Sequence, residues 1–151
     1  MFTLVPSDFF DPAEERNALA EVADLKDTDK VNHTEITQYG AVLIYKEDED
    51  SSVSSHPMAA LLQDLSAITD YNKILASRKA DILYLAIAQG KSLLLANEYP
   101  ARDFTTAEYY IFLAMKSLQL NPEISTICWK GELNAEEEIS LCRYFKAVDQ
   151  I

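Results

Sequence analysis

Residues Ile82 to Ala88 and Ser92 to Asn97 are two nearly all-apolar runs separated only by Gln89-Gly90-Lys91. Runs of that length bounded by a turn read as strands, and Gly90 supplies the positive φ that a hairpin needs. Strands apolar on both faces belong to a sheet covered by helices on both sides. The residues that follow supply covering helices. Thr105-Thr-Ala-Glu108 reads as a capping box opening a helix to Leu120, and Asn121-Pro122 stops it. Because Tyr109 to Met115 is apolar almost all round, that helix is expected to be central. Ile124 to Trp129 then reads as a short buried strand, and Asn134-Ala-Glu-Glu137 opens a last helix. The expected class is α/β (α+β), a mixed sheet flanked by helices. Its core should run from Leu83, Leu85 and Ile87 through Phe112 and Leu113 to Trp129, Leu141 and Tyr144.

The first half is less regular. Thr3-Leu-Val-Pro6 reads as a strand end, and Asp11-Pro-Ala-Glu14 as a helix start whose helix runs to about Asp24. Val31 to Gln38 alternates but is polar on both faces, the profile of an edge strand. Tyr39-Gly40 turns it into Ala41 to Tyr45, which is apolar enough to be central. Pro57 opens a helix with Met58, Leu61, Leu62, Leu65 and Ile68 on one face. Two continuations are open: the helix runs on through Tyr71, Ile74 and Leu75, or it breaks near Asp70.

At 151 residues, 48% of them hydrophobic and 25% charged, the chain suits one domain or two small lobes of ordinary soluble composition. Its longest apolar run, Ile82 to Ala88, is too short to cross a bilayer, and Met1 to Phe10 lacks the features of a secretion signal. A cytoplasmic location follows as the default. The net charge of −12 is lopsided, because residues 1–56 carry four basic against thirteen acidic side chains, a net of −9. Such a surface repels phosphate backbones and anionic lipid, so neither nucleic acid nor a membrane is an expected partner. Glu47-Asp-Glu-Asp50, followed by Ser51 to Ser55, reads as a solvated acidic loop without the spacing or glycine of a calcium loop.

No catalytic signature stands out. His33 falls on the polar edge strand, and His56 is placed to cap the helix at Pro57; neither has the spacing of a zinc site. Cys128 and Cys142 read as reduced, buried thiols. Asp103 and Glu108 bracket a helix start, where carboxylates serve capping. Tyr109 and Tyr110 suit core packing with hydroxyls at the rim better than a ligand pocket. Three glycines leave little room for cofactor-cradling loops, and no cofactor is expected.

Leu4-Val-Pro-Ser7, Ser92-Leu-Leu-Leu-Ala-Asn-Glu98, Ala107-Glu-Tyr-Tyr110 and Cys128-Trp-Lys-Gly-Glu132, with a last helix ending Tyr144-Phe145, resemble an uncharacterised family of Bacteroidetes proteins. The resemblance implies an actin-like ATPase fold of two ribonuclease-H-like lobes, as in sugar kinases and heat-shock chaperones. It further implies a partial amino-terminal lobe at 1–50, short at its amino end, and a ribonuclease-H-like lobe at 51–151. Such ATPases hold phosphates with a glycine-rich hairpin carrying an acidic residue for magnesium. On this alignment the hairpin is Ala86-Ile-Ala-Gln-Gly-Lys91, with no carboxylate beside it, and the adenine-side loop is Lys130-Gly-Glu-Leu133. The expectation is therefore a catalytically silent module that binds another protein or a second copy of itself through its amino-terminal half. The alternative is a nucleotide-binding protein with weak or no hydrolysis, using Gly90, Lys91 and Gly131.

Overall fold

The computed structural model describes residues 1–47 and 56–151, so the expected acidic loop lies, beyond Glu47, outside the described residues. The chain divides into two compact units, Met1–Gln63 and Asp64–Ile151.

In the first unit, β1 (Phe2–Pro6), β2 (Val31–Ile36) and β3 (Ala41–Lys46) form an antiparallel sheet in the order β1-β3-β2. The apolar strand is central and the polar one is an edge, as the alternation predicts. Gly40 turns one into the other at φ 60°. The helix expected from Pro12 to Asp24 is shorter: a 3-10 turn at Pro12–Glu14 leads into α1 (Glu15–Ala20). Asp11 caps that turn by accepting from the amide of Ala13. Leu19 of α1 packs with Val42 and Ile44 of β3 in a small core bordered by Val5, Phe10 and Val31. The segment after α1 is folded by Arg16, whose guanidinium donates to the carbonyls of Lys26 and Asp29.

Ahead of the second sheet runs α2 (Pro57–Ala67). It breaks before Asp70, and the residues that would have prolonged it form β4 (Asn72–Lys79) instead. Ile74, Leu75 and Ala76 fit a buried strand and a buried helix equally well by composition. β4 pairs with β5 (Ile82–Gln89) on one side and β7 (Thr126–Trp129) on the other, so it is the middle of a five-stranded sheet. The full order is β6-β5-β4-β7-β8, with β6 at Ser92–Pro100 and β8 at Ala147–Gln150. β7 runs parallel to β4 and β8 parallel to β7, while β4, β5 and β6 form an antiparallel meander.

The two crossovers are α3 (Phe104–Ser117) and α4 (Ala135–Cys142). They lie on one face of the sheet, because Phe112 of α3 meets Tyr144 and Phe145 just past α4, with ring centroids 4.8 and 5.7 Å apart. The core beneath them joins Ile74, Leu83, Leu85, Ile87, Ile127 and Trp129 to Ile111, Met115, Leu141 and Phe145. The opposite face, with Leu75, Ala86, Ala88 and Cys128, is buried as well. α3 is less central than its composition suggests. Ala107, Ile111, Ala114 and Met115 are buried, but Tyr109 and Leu113 are exposed, as is Tyr144, and Phe112 is half-buried. The helix is apolar all round, yet only one stripe of it is covered.

Candidate functional site

Strand direction decides which loops of the second unit share an end of the sheet. β4 starts beside the end of β5, since Asn72 pairs with Gln89, and finishes beside its start, since Lys79 pairs with Ile82. The Gly90-Lys91 turn therefore sits at the start of β4, whereas Gly131 follows β7, whose Trp129 is level with Ala76. Some six residues of strand, on the order of 20 Å, separate them. The three residues expected to share a nucleotide site, Gly90, Lys91 and Gly131, are at opposite ends of the sheet. Gln89-Gly90 falls in the phosphate-hairpin position only when Ile82–Gln89 is taken as the first strand of the meander, and β4 precedes it. With β4 in place, the hairpin on Gly131's side is the two-residue turn Ala80-Asp81.

The end that carries Gly90 has little to offer an anion. The amide of Gly90 donates to the carbonyl of Tyr71 at 2.9 Å, and a Cβ on Gly90 would lie 3.3 Å from the Tyr71 ring. α3 and α4 both finish at this end, so their dipoles present negative poles to it.

The Ala80-Asp81 end holds the amino termini of α3 and α4, and several of its donors are engaged within the chain. Ala80 and Asp81 both have left-handed backbones, at φ 51° and 59°. The carbonyl of Asp81 accepts from Ala101 at 2.7 Å. Asp103, not Thr105, caps α3, accepting from the amide of Thr106 at 2.7 Å; the expected Thr105 to Glu108 box is displaced because the helix begins at Phe104. That amide, the Thr106 hydroxyl and the charge of Arg78 hold the Asp103 carboxyl below its ordinary range. At the helix start expected at Asn134, Asn134 and Glu137 form a reciprocal capping box, with Glu136 and Glu138 in the same turn. Gly131 donates its amide to Ile151 at 3.3 Å. Two cations at this end are likewise turned to carboxylates: Lys130 reaches Asp64 at 2.5 Å and Arg78 reaches Glu137 at 3.8 Å.

Both histidines have structural partners. His56 accepts from the amide of Met58 at 3.1 Å, the capping role read from its position before Pro57. His33 lies 2.6 Å from the carboxylate of Glu15 and against the ring of Phe10. Cys128 is buried, and burial first, then the charges of Asp149 and Asp70, push its thiol up to about 11. Cys142 is exposed, contrary to expectation, because it falls on the outer face of α4 beside Ile139 and Arg143. Tyr110 stacks on Tyr99 at 4.7 Å, so of the tyrosine pair one packs at the rim and the other faces outward. Glu108, one helical turn from both Phe104 and Phe112, is buried with one carboxylate oxygen lacking a partner. Among the described residues no group of three or more His, Cys, Asp and Glu side chains is placed to hold a metal, and no helix is long and apolar enough to cross a membrane.

Compared with known proteins, the chain superposes on the crystal structure of a Bacteroides thetaiotaomicron protein described as having an actin-like ATPase fold and unknown function. The TM-score is 0.81 at 18% identity, over 99% of this chain and 64% of that one. At that identity the likeness establishes the fold, which is actin-like, and the chain spans less than two thirds of its neighbour's length. No curated protein matches. Residues 1–148 match the family described as "Protein of unknown function (DUF3822)", and the chain belongs to that family.

Proposed function

We propose that this chain is a catalytically silent actin-like module that works in the cytoplasm by binding another protein. One observation supports this most directly. At the Ala80-Asp81 end of the sheet, the amides of Thr106, Gly131 and Glu137 and the cations of Arg78 and Lys130 are satisfied by the chain's own side chains and carbonyls. A nucleotide would have to displace several of these contacts and settle among Asp81, Asp103 and Glu136 to Glu138. Each displaced contact would have to be replaced by one of at least equal strength to the incoming phosphate. Like charges beside the phosphates oppose that exchange.

A second reading keeps nucleotide binding with weak or no hydrolysis, and the sheet polarity gives it a specific form. Asp81 and Gly131 replace Gly90 and Lys91 as its binding residues, because they share an end with two helix amino termini. The two readings separate in a thermal-shift titration with ATP and magnesium. Ligand that binds only the folded state at a hundred times its dissociation constant stabilises by about 2.7 kcal/mol. An unchanged melting temperature is the expected result, and a saturable rise, abolished by Asp81→Ala, would overturn the first reading in favour of the second.

A further inference from the structure

We propose that the groove between α3 and α4 binds an arginine side chain of a partner protein, with Glu108 as the carboxylate that accepts it. The inference rests on the protein-binding reading and names what the partner presents. Phe104, Glu108 and Phe112 follow one another at four-residue spacing, so they stand in one row along α3. That row faces the α4 side of the layer, because Phe104 meets Trp129 with ring centroids 5.4 Å apart and Phe112 meets Tyr144 at 4.8 Å. Glu108 is 9% exposed and its Oε1 is sealed from solvent. Among the described residues its carboxylate accepts no hydrogen bond and forms no ion pair. A carboxylate so placed has given up water without gaining a donor, which costs stability until a ligand supplies one. Packing alone would call for an apolar residue there, as it does one turn to either side.

The neighbouring cations of the chain are spent elsewhere. Arg78 donates to the Arg102 carbonyl and pairs with Glu137, and Lys130 pairs with Asp64. Lys116 is eight residues farther along α3, about 12 Å at the rise of a helix. The donor is therefore sought outside the chain, and the margin of the groove favours a guanidinium. Tyr144 is 50% exposed and stands against the half-buried ring of Phe112, so a planar guanidinium lies on an aromatic face while its fork of N–H groups meets the carboxylate. A compact ammonium does the second but not the first. Leu113, 48% exposed, and Tyr109 carry the apolar margin over the outside of α3, which suits apolar residues on either side of the arginine. Charge selects the same class of partner. A chain of net −12 draws in basic segments and repels a second copy of itself, anionic lipid and nucleic acid.

Amide chemical shifts of the full chain, followed as the blocked tripeptide leucine-arginine-leucine is added, test the inference. The expected result is a saturable set of shifts confined to α3 and α4, absent with the same peptide carrying citrulline, which keeps the shape of arginine and lacks its charge. Glu108→Gln should raise the dissociation constant by about tenfold or more, the loss of one charge-assisted contact. Glu123→Gln, which removes an exposed acid outside the groove, should leave it unchanged. Glu108→Met gives a readout without the peptide. Replacing an unpartnered carboxylate by an apolar side chain of similar length should raise the melting temperature, as expected where a binding residue is held at the expense of stability. No shifts at millimolar peptide, shifts spread over the acidic first unit, or equal binding by the citrulline peptide or by Glu108→Gln would overturn the inference. A Glu108→Met protein that melts below the wild type would overturn it too, by making the carboxylate structural. None of these outcomes bears on the nucleotide titration, so this inference and the silent-module reading fail separately.

Discussion

The two hairpin turns of the second unit stand at the two ends of the same strand, β5, yet they are made differently. Between β5 and β6 the chain reads Gln-Gly-Lys-Ser, and the one left-handed residue is Gly90, at φ 56°. Between β4 and β5 it reads Lys-Ala-Asp-Ile, and both central residues are left-handed although neither is glycine. Two positive φ values suit a tight hairpin, for which Asn-Gly is the favoured pair. Ala80 therefore sits in a conformation costing roughly 1–2 kcal/mol, which the surrounding sheet holds in place. The turn that looks functional in the sequence is relaxed and structural, while the one without a signature is strained and lies at the end where two helices begin.

The largest effect that would break this contrast is at Gly90. Gly90→Ala forces a Cβ into the left-handed region and to 3.3 Å from the Tyr71 ring. A loss of about 1–2 kcal/mol is expected, dominated by the backbone because Tyr71 is exposed and its ring can shift. Chemical denaturation measures it, and a loss near zero would mean that the turn relaxes to another type. Ala80→Asn should act in the opposite direction and more weakly. Asparagine tolerates the left-handed region, so the variant should gain about 0.5–1 kcal/mol in the same experiment. A destabilised Ala80→Asn protein would show that the Ala80 methyl makes a contact worth more than the strain.

How far the sequence could be read follows from the same physics. Glycine and proline announce backbone requirements directly, which is why the β5–β6 turn, the Tyr39-Gly40 turn, the start of α2 and the Asn134 box are all legible. β4 is not, since Ile74-Leu75-Ala76 has no period and follows a helix whose apolar face could simply continue. β8 is hidden similarly: Ala147 to Gln150 is only half apolar, and its pairing with β7 is a long-range property. Once β4 is missed, the candidate residues Gly90, Lys91 and Gly131 appear to converge when the strands hold them apart. The excess of apolar surface on α3 is legible, but not which part of it the sheet covers. That choice leaves Tyr109 and Leu113 outside and Glu108 inside.

The smallest effect separates the two ends of the sheet by pH. Asp103 stands at the Ala80-Asp81 end, and its carboxyl is held below 3.8, first by the Thr106 amide, then by the Thr106 hydroxyl, and in lesser part by the charge of Arg78. A carboxyl whose folded-state value is depressed contributes stability that is present above its ordinary value and is lost as pH falls through the folded one. Asparagine also caps helices, so Asp103→Asn keeps an acceptor for the Thr106 amide and removes only the charge. At neutral pH the variant should therefore melt slightly below the wild type, and the difference should close as pH falls from about 5 to below the ordinary carboxylate value. Thermal melts of both proteins across that range make the comparison. A gap that is the same at every pH would mean that the charge of Asp103 is immaterial and that the hydrogen bond alone fixes the start of α3.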